Sequence, residues 1–273
     1  VNTATDEKLS IGRTVVDAVG SGSLSYVDAD GRMLAAEFNA IALSVEDRSV
    51  ESTGEPSDDV PYSGRVPLEI TTFLNETLIE SEDGINGGSL LDGARTEAGT
   101  AASHAGLAAR ASNVGGLHSH AEHTINILRG EEEDYNSNER GENPGRGIGV
   151  YFFLDQIEGL LDSALNAPDA DVSLQVDGEL VRVCLFNTRE RADQVIEIEF
   201  ELLAETEDIA NVEDIAGESQ VLAERLTSGV DLNENGIIQA FEEECGLDQV
   251  ETFGILVASM DVFEGGLDDN TDE

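Results

Sequence analysis

Three of the chain's four histidines lie in one stretch, Gly116-Leu-His118-Ser-His120-Ala-Glu122-His123-Thr-Ile-Asn126, and the fourth, His104, stands upstream of it. Imidazoles suit copper, zinc or haem iron. His120 and His123, three residues apart, share one side of a helix. If the helix carrying His104 folds back on theirs, three rings can meet. With a turn at Asn113 to Gly116 and 1.5 Å of rise per residue, His104 and His123 differ in height by about 3 Å, and His104 and His120 by about 7 Å. His104 with His123 is therefore the expected pair, and His120 completes the set only if the helices are staggered. His120-Ala-Glu-His123 is not the HExxH of zinc proteases, whose histidines stand four apart. No CxxCH attaches a haem, and neither Cys lies near the histidines in sequence, as a blue-copper site would require.

A second donor set is Asp231-Leu-Asn233-Glu-Asn235-Gly236-Ile237-Ile238-Gln239-Ala-Phe-Glu242, which has the pattern of an EF-hand calcium loop. Asp231, Asn233 and Asn235 supply side-chain oxygens. Gly236 allows the sharp turn, Ile237 offers its carbonyl, and Glu242 closes the site. Asp134-Tyr-Asn136-Ser-Asn138 repeats the first half of this pattern, but Glu139 replaces the glycine and Gly145 stands at the twelfth position. Glu142 is then the candidate closing carboxylate of a second calcium loop. No nucleophile elbow, P-loop, dinucleotide fingerprint or redox CxxC appears, so a non-enzymatic protein is expected.

The composition sets the surroundings. Against 58 Asp and Glu stand 14 basic residues, so the net charge is 14 − 58 = −44. Such a surface repels phosphate backbones and anionic lipid, which argues against nucleic acid as a partner. No apolar run approaches the roughly 18 residues of a membrane span, so no membrane insertion is expected. Lys8 is the only lysine. Abundant carboxylates with arginine in place of lysine read as adaptation to molar salt, where the Debye length falls to about 3 Å. An extracellular or cell-surface location is favoured by three features: Cys184 and Cys245 permit one disulfide, Asn75-Glu76-Thr77 is a glycosylation sequon, and the chain starts at Val1 without Met.

The elements that must position these groups are mainly helical. Residues 1–85 are the least legible: Leu34, Phe38, Ile41 and Val45 fit a helix, while Ile41, Leu43 and Val45 fit strand alternation. Asp28-Ala29-Asp30-Gly31 could close a hairpin after Ser23–Val27, and Ser49 to Pro67 reads as a loop. This third is expected to be α with a small β element, Ile70 to Leu78 forming one helical face. From Leu91, alanines at spacings of three and four mark a helix with a narrow small-residue seam, running to Ser112 and ended by Asn113 and Gly115-Gly116. Further helices are expected at 117–128, 151–165, 180–203, 212–226 and 240–263, although Val195, Ile196, Ile198 and Phe200 also fit a strand, with a Gly- and acid-rich loop from Gly130 to Gly149. The predicted fold is an antiparallel helical bundle with an EF-hand-like loop. It divides into an arm (1–85), the bundle (86–264) and an acidic tail (265–273).

His120-Ala-Glu-His123-Thr-Ile-Asn-Ile, the Asn143-Pro-Gly loop and Gly229-Val-Asp231-Leu-Asn-Glu-Asn-Gly236 together resemble an uncharacterised secreted helical domain of haloarchaea and some Chloroflexi, at times fused to halocyanin-type cupredoxins. The resemblance covers residues 88–264. Through its copper-protein associate it implies a place in cell-surface redox chemistry, although this chain lacks the cupredoxin part. Two functions are therefore expected: a calcium-stabilised surface or assembly protein acting through a protein partner or self-association, or a metal- or haem-binding redox domain built on His104, His120 and His123.

Overall fold

The alanine seam sets the architecture. In the computed structural model, which describes residues 1–46, 57, 59–241 and 243–267, Ala94, Ala98, Ala101 and Ala105 are fully buried along one side of a helix, α2 (Leu90–Ala108). Small side chains let neighbouring helices approach its backbone closely. Gly93 belongs to the same seam: a Cβ there would sit 2.5 Å from the Phe153 ring. Ser89 caps the start of α2, its hydroxyl accepting from the Asp92 N–H.

α2 ends one turn before the expected Ser112. Asn113 caps the next helix, α3 (Val114–Arg129), its side chain accepting from the Gly116 N–H at 2.9 Å. Gly115 and Gly116 thus lie in the first turn of α3 instead of terminating α2. The five residues from 109 to 113 fold α3 back against α2 as a hairpin. Gly130, at φ 71°, ends α3 in the left-handed conformation that glycine tolerates, and its N–H bonds to the Asn126 carbonyl.

The remaining helices are α1 (Glu69–Leu78), α4 (Val150–Leu165), α5 (Val172–Ala204), α6 (Glu213–Ser228) and α7 (Leu247–Leu256), making seven α-helices among the described residues. Ile70, Phe73 and Leu74 of α1 share one core with Phe153, Leu154 and Ile157 of α4, Val181 and Val195 of α5, Leu226 of α6 and Val250 of α7. Residues 1–85 thus contribute a helix to the common core. α5 starts eight residues before the expected Leu180, because Asp171 caps it by accepting from the Leu174 N–H at 2.7 Å.

A small antiparallel sheet accompanies the helices. β1 (Ala40–Leu43) pairs with β2 (Tyr62–Arg65) from Ala40↔Arg65 to Leu43↔Tyr62, and β2 pairs with β3 (Phe263–Glu264). Strand alternation, not the helical period, is therefore the right reading of Ile41 and Leu43, and β2 replaces the end of the expected Ser49–Pro67 loop. Ser23–Val27 is not a strand: Asp28 does make a turn, its carboxylate accepting from the Asp30 and Arg32 N–H groups, but no hairpin forms around it. The expected helix from Ala240 to Phe263 shrinks to α7, with Phe263 in β3.

Arg191 explains that loss. Its guanidinium, 5 % exposed, donates to the carbonyls of Glu243, Glu244, Cys245 and Arg225. Carbonyls bonded to an arginine are not bonded to the N–H groups of a following helical turn. A disulfide joins Cys245 to Cys184 of α5, with 5.1 Å between the Cα atoms, and fixes the same segment. No helix among the described residues is long and apolar enough to cross a membrane.

Candidate metal centre

The α2–α3 hairpin brings three imidazoles together. His104 Nδ1 lies 3.2 Å from His120 Nδ1 and 3.2 Å from His123 Nδ1. One donor atom from each ring falls within 4.8 Å of the other two. The stagger that His120 needed is therefore present, and His104 contacts both partners equally closely. Two nitrogens bound to one tetrahedral zinc at 2.0–2.1 Å would stand about 3.3 Å apart, close to the spacing observed. All three rings are half-buried.

The protons of this cluster are constrained. His123 Nε2 lies 3.2 Å from the Glu142 carboxylate, an acceptor, which favours a proton on Nε2; in the tautomer that carries its proton there, Nδ1 presents a lone pair. His104 Nδ1 faces two other ring nitrogens, and a single proton could serve both only through a shared, bent bond. Burial, followed by the neighbouring His123 and His120, pushes His104 down to about 4. Burial and His123 likewise lower His120. His104 and His120 are thus neutral at pH 7, the form in which imidazole binds metals. His118 stands apart, its Nε2 2.6 Å from the Glu205 carbonyl.

Two residues inside the histidine stretch have their own task. Glu122 and Asn126 are fully buried and hold the 131–148 loop. Glu122 accepts from the N–H groups of Asn136 (2.9 Å) and Glu142 (3.4 Å). The Asn126 amide donates to the carbonyls of Glu133 and Glu142. From α2, buried Glu97 accepts from the Arg146 and Ile148 N–H groups. The signal was available in the sequence: Glu97 interrupts an alanine seam, and Glu122 and Asn126 are four apart on a face that otherwise carries core residues.

The two Asp-x-Asn-x-Asn segments adopt one conformation. Asp231 accepts from the N–H groups of Asn235 (3.1 Å) and Gly236 (2.7 Å), Asn233 from that of Asn235, and Asn235 from that of Ile237. Asp134 accepts from Asn138 (3.0 Å) and Glu139 (2.8 Å), Asn136 from Asn138, and Asn138 from Arg140. Positive φ recurs at matching places, Glu234 and Gly236 in one loop, Ser137 and Glu139 in the other. The surroundings depart from an EF-hand. No helix follows directly, since α7 begins only at Leu247. Glu242 lies outside the described residues. Among the described residues, the carboxylate that reaches the first loop is Glu244, 1 % exposed, which accepts from the Asn233 amide and the Gln239 N–H. In the other loop Glu142 turns to His123.

The other expected groups are placed as follows. Cys184 and Cys245 are buried in their disulfide, so neither offers a thiolate to a metal. Asn75 lies within α1, and the Thr77 hydroxyl of its sequon is buried without a hydrogen-bond partner among the described residues. No protein-family model, no curated protein and no solved structure matches this chain.

Proposed function

We propose that the protein is a metal-binding domain that holds one copper or zinc ion on the Nδ1 atoms of His104, His120 and His123. The observation that carries this reading is the convergence of three imidazoles, with His104 Nδ1 at ligand-to-ligand spacing, 3.2 Å, from a ring nitrogen of each of the other two. Imidazole donors suit copper and zinc, and of the divalent first-row ions copper binds most strongly. A bare ion suits the arrangement better than haem, whose iron takes its axial ligands from opposite faces of a macrocycle. The protein works outside the cell: the Cys184–Cys245 disulfide supports an oxidising compartment.

The test is a titration of metal-free protein with Zn(II) and Cu(II) by calorimetry, with metal analysis of the product. One ion per chain is expected, with affinity falling at least about 100-fold in His104→Ala and in His123→Ala and unchanged in His118→Ala. Equal uptake by wild type and His104→Ala would end the reading.

A second reading concerns the Asp231 loop. Its side-chain oxygens and the buried Glu244 gather on one turn, which supports a calcium ion that stabilises a surface or assembly protein. The two readings are compatible, since the donor sets share no residue.

A further inference from the structure

The carboxylate that meets the histidine cluster does not come from either helix of the hairpin. Glu142 belongs to the 131–148 loop, yet its Oε2 lies 3.2 Å from His123 Nε2, on the far side of the ring from the convergent Nδ1 atoms. The loop backbone is fastened at the same residue: the Glu142 N–H donates to Glu122, and its carbonyl accepts from Asn126. Glu122 and Asn126 are fully buried and stand on α3, the helix that carries His120 and His123. One helix therefore presents the ring and also sets the position of the ring's outer partner.

A hydrogen bond on the outer nitrogen decides which nitrogen of a metal-binding histidine is free to ligate, and it holds the ring at the required angle. With its proton directed to Glu142, His123 offers Nδ1 and cannot rotate to offer Nε2 without losing the bond. A cation on Nδ1 polarises the Nε2–H and strengthens its bond to a carboxylate. Each of the two events then favours the other, and such coupling acts equally in both directions.

Resting on the metal reading above, we propose that Glu142 is the positioning residue of the centre, and that metal occupancy is thereby linked to the ordering of the 131–148 loop. A bound ion tightens the loop through His123 and Glu142, and a loosened loop weakens the ion. Control of the centre lies in the loop, which carries none of its ligands.

The experiment uses the full chain, metal-free and zinc-loaded, at constant high salt. Glu142 is exposed, so its variants are expected to fold, with circular dichroism as the check. Zinc affinity should fall about 10- to 100-fold in Glu142→Ala. It should recover in part in Glu142→Gln, whose amide oxygen still accepts from Nε2–H. Long-range ¹H–¹⁵N spectra of the zinc-loaded wild type should show His123 with a protonated Nε2 and a ligated Nδ1, a state lost in Glu142→Ala. Tryptic cleavage after the exposed Arg140 should slow on adding zinc to the wild type, and much less in Glu142→Ala. Wild-type affinity in Glu142→Ala with an unchanged His123 tautomer would overturn the role of Glu142 while leaving the metal site standing. Uptake of neither zinc nor copper by the wild type would overturn both.

Discussion

Buried carboxylates on this very acidic chain divide by what meets them. Glu97, Glu122 and Glu244 accept N–H groups of loops that they hold in place. Glu199 on α5 is different: among the described residues it accepts only the Ser219 hydroxyl, at 2.5 Å, and its Oε2 has no partner. Burial raises it to about 8, against a smaller opposing effect of the Ser219 bond. The folded chain therefore keeps a proton on Glu199 that the unfolded chain has lost, and stability falls as pH rises from about 4.5 to about 8. The loss has an upper bound of roughly 5 kcal/mol, at 1.36 kcal/mol per pKa unit. Denaturant midpoints at pH 5 and pH 8.5 should separate in the wild type and draw together in Glu199→Gln, which keeps the shape without the charge. Parallel slopes for the two proteins would show that Glu199 ionises freely. Nothing in the local sequence marks this residue, because Glu199 sits among exposed acids of the same helix and its burial depends on α6 packing over it. His104, His120 and His123 were legible, since spacing and one turn fix their relative height.

Among the elements, the helices with clear ends were the readable ones. α3, α4 and α6 fall within a few residues of their expected bounds, because apolar period and punctuation agree there. α5 began early on the strength of the Asp171 cap, while its first turns lack a strong apolar face. Residues 243–246 lie within the expected helix and are not helical, since Arg191 and the disulfide act on them from more than fifty residues away. That long-range competition has no local signature. It also makes the Asp231 loop a test of the calcium reading, because the loop lacks the exit helix that usually aligns its closing acid. Calcium at a hundredfold excess over Kd would stabilise the native state by about 2.7 kcal/mol. A calcium-dependent rise in Tm is expected in the wild type and should vanish in Asp231→Ala. Identical shifts in both proteins would remove the loop from consideration.

At the scale of the molecule, one core joins α1 to α7, while the arm before β1 contributes little: Val15, Val16 and Val19 are exposed and no regular element spans residues 8–32. The charge of −44 was legible from composition alone, and its consequence belongs to no single residue. Raising salt from 0.1 M to 1 M shortens the Debye length from about 10 Å to about 3 Å and relieves repulsion among surface carboxylates. Tm measured at fixed calcium should rise over that range. A flat or falling Tm would contradict adaptation to salt.

The hairpin that carries the histidines also bears on the order of events when the chain folds. His104 is 16 and 19 residues from its partners, whereas Ser63 and Gly265 meet across 202. Closing the longer span costs about 2 kcal/mol more in chain entropy. Contacts between near neighbours form early, and remote pairings come late. The three imidazoles therefore gather while the β2–β3 edge of the sheet is still open, and an ion bound to them at that moment would act as a nucleus. Such an ion would change how fast the chain folds as well as how firmly it stays folded.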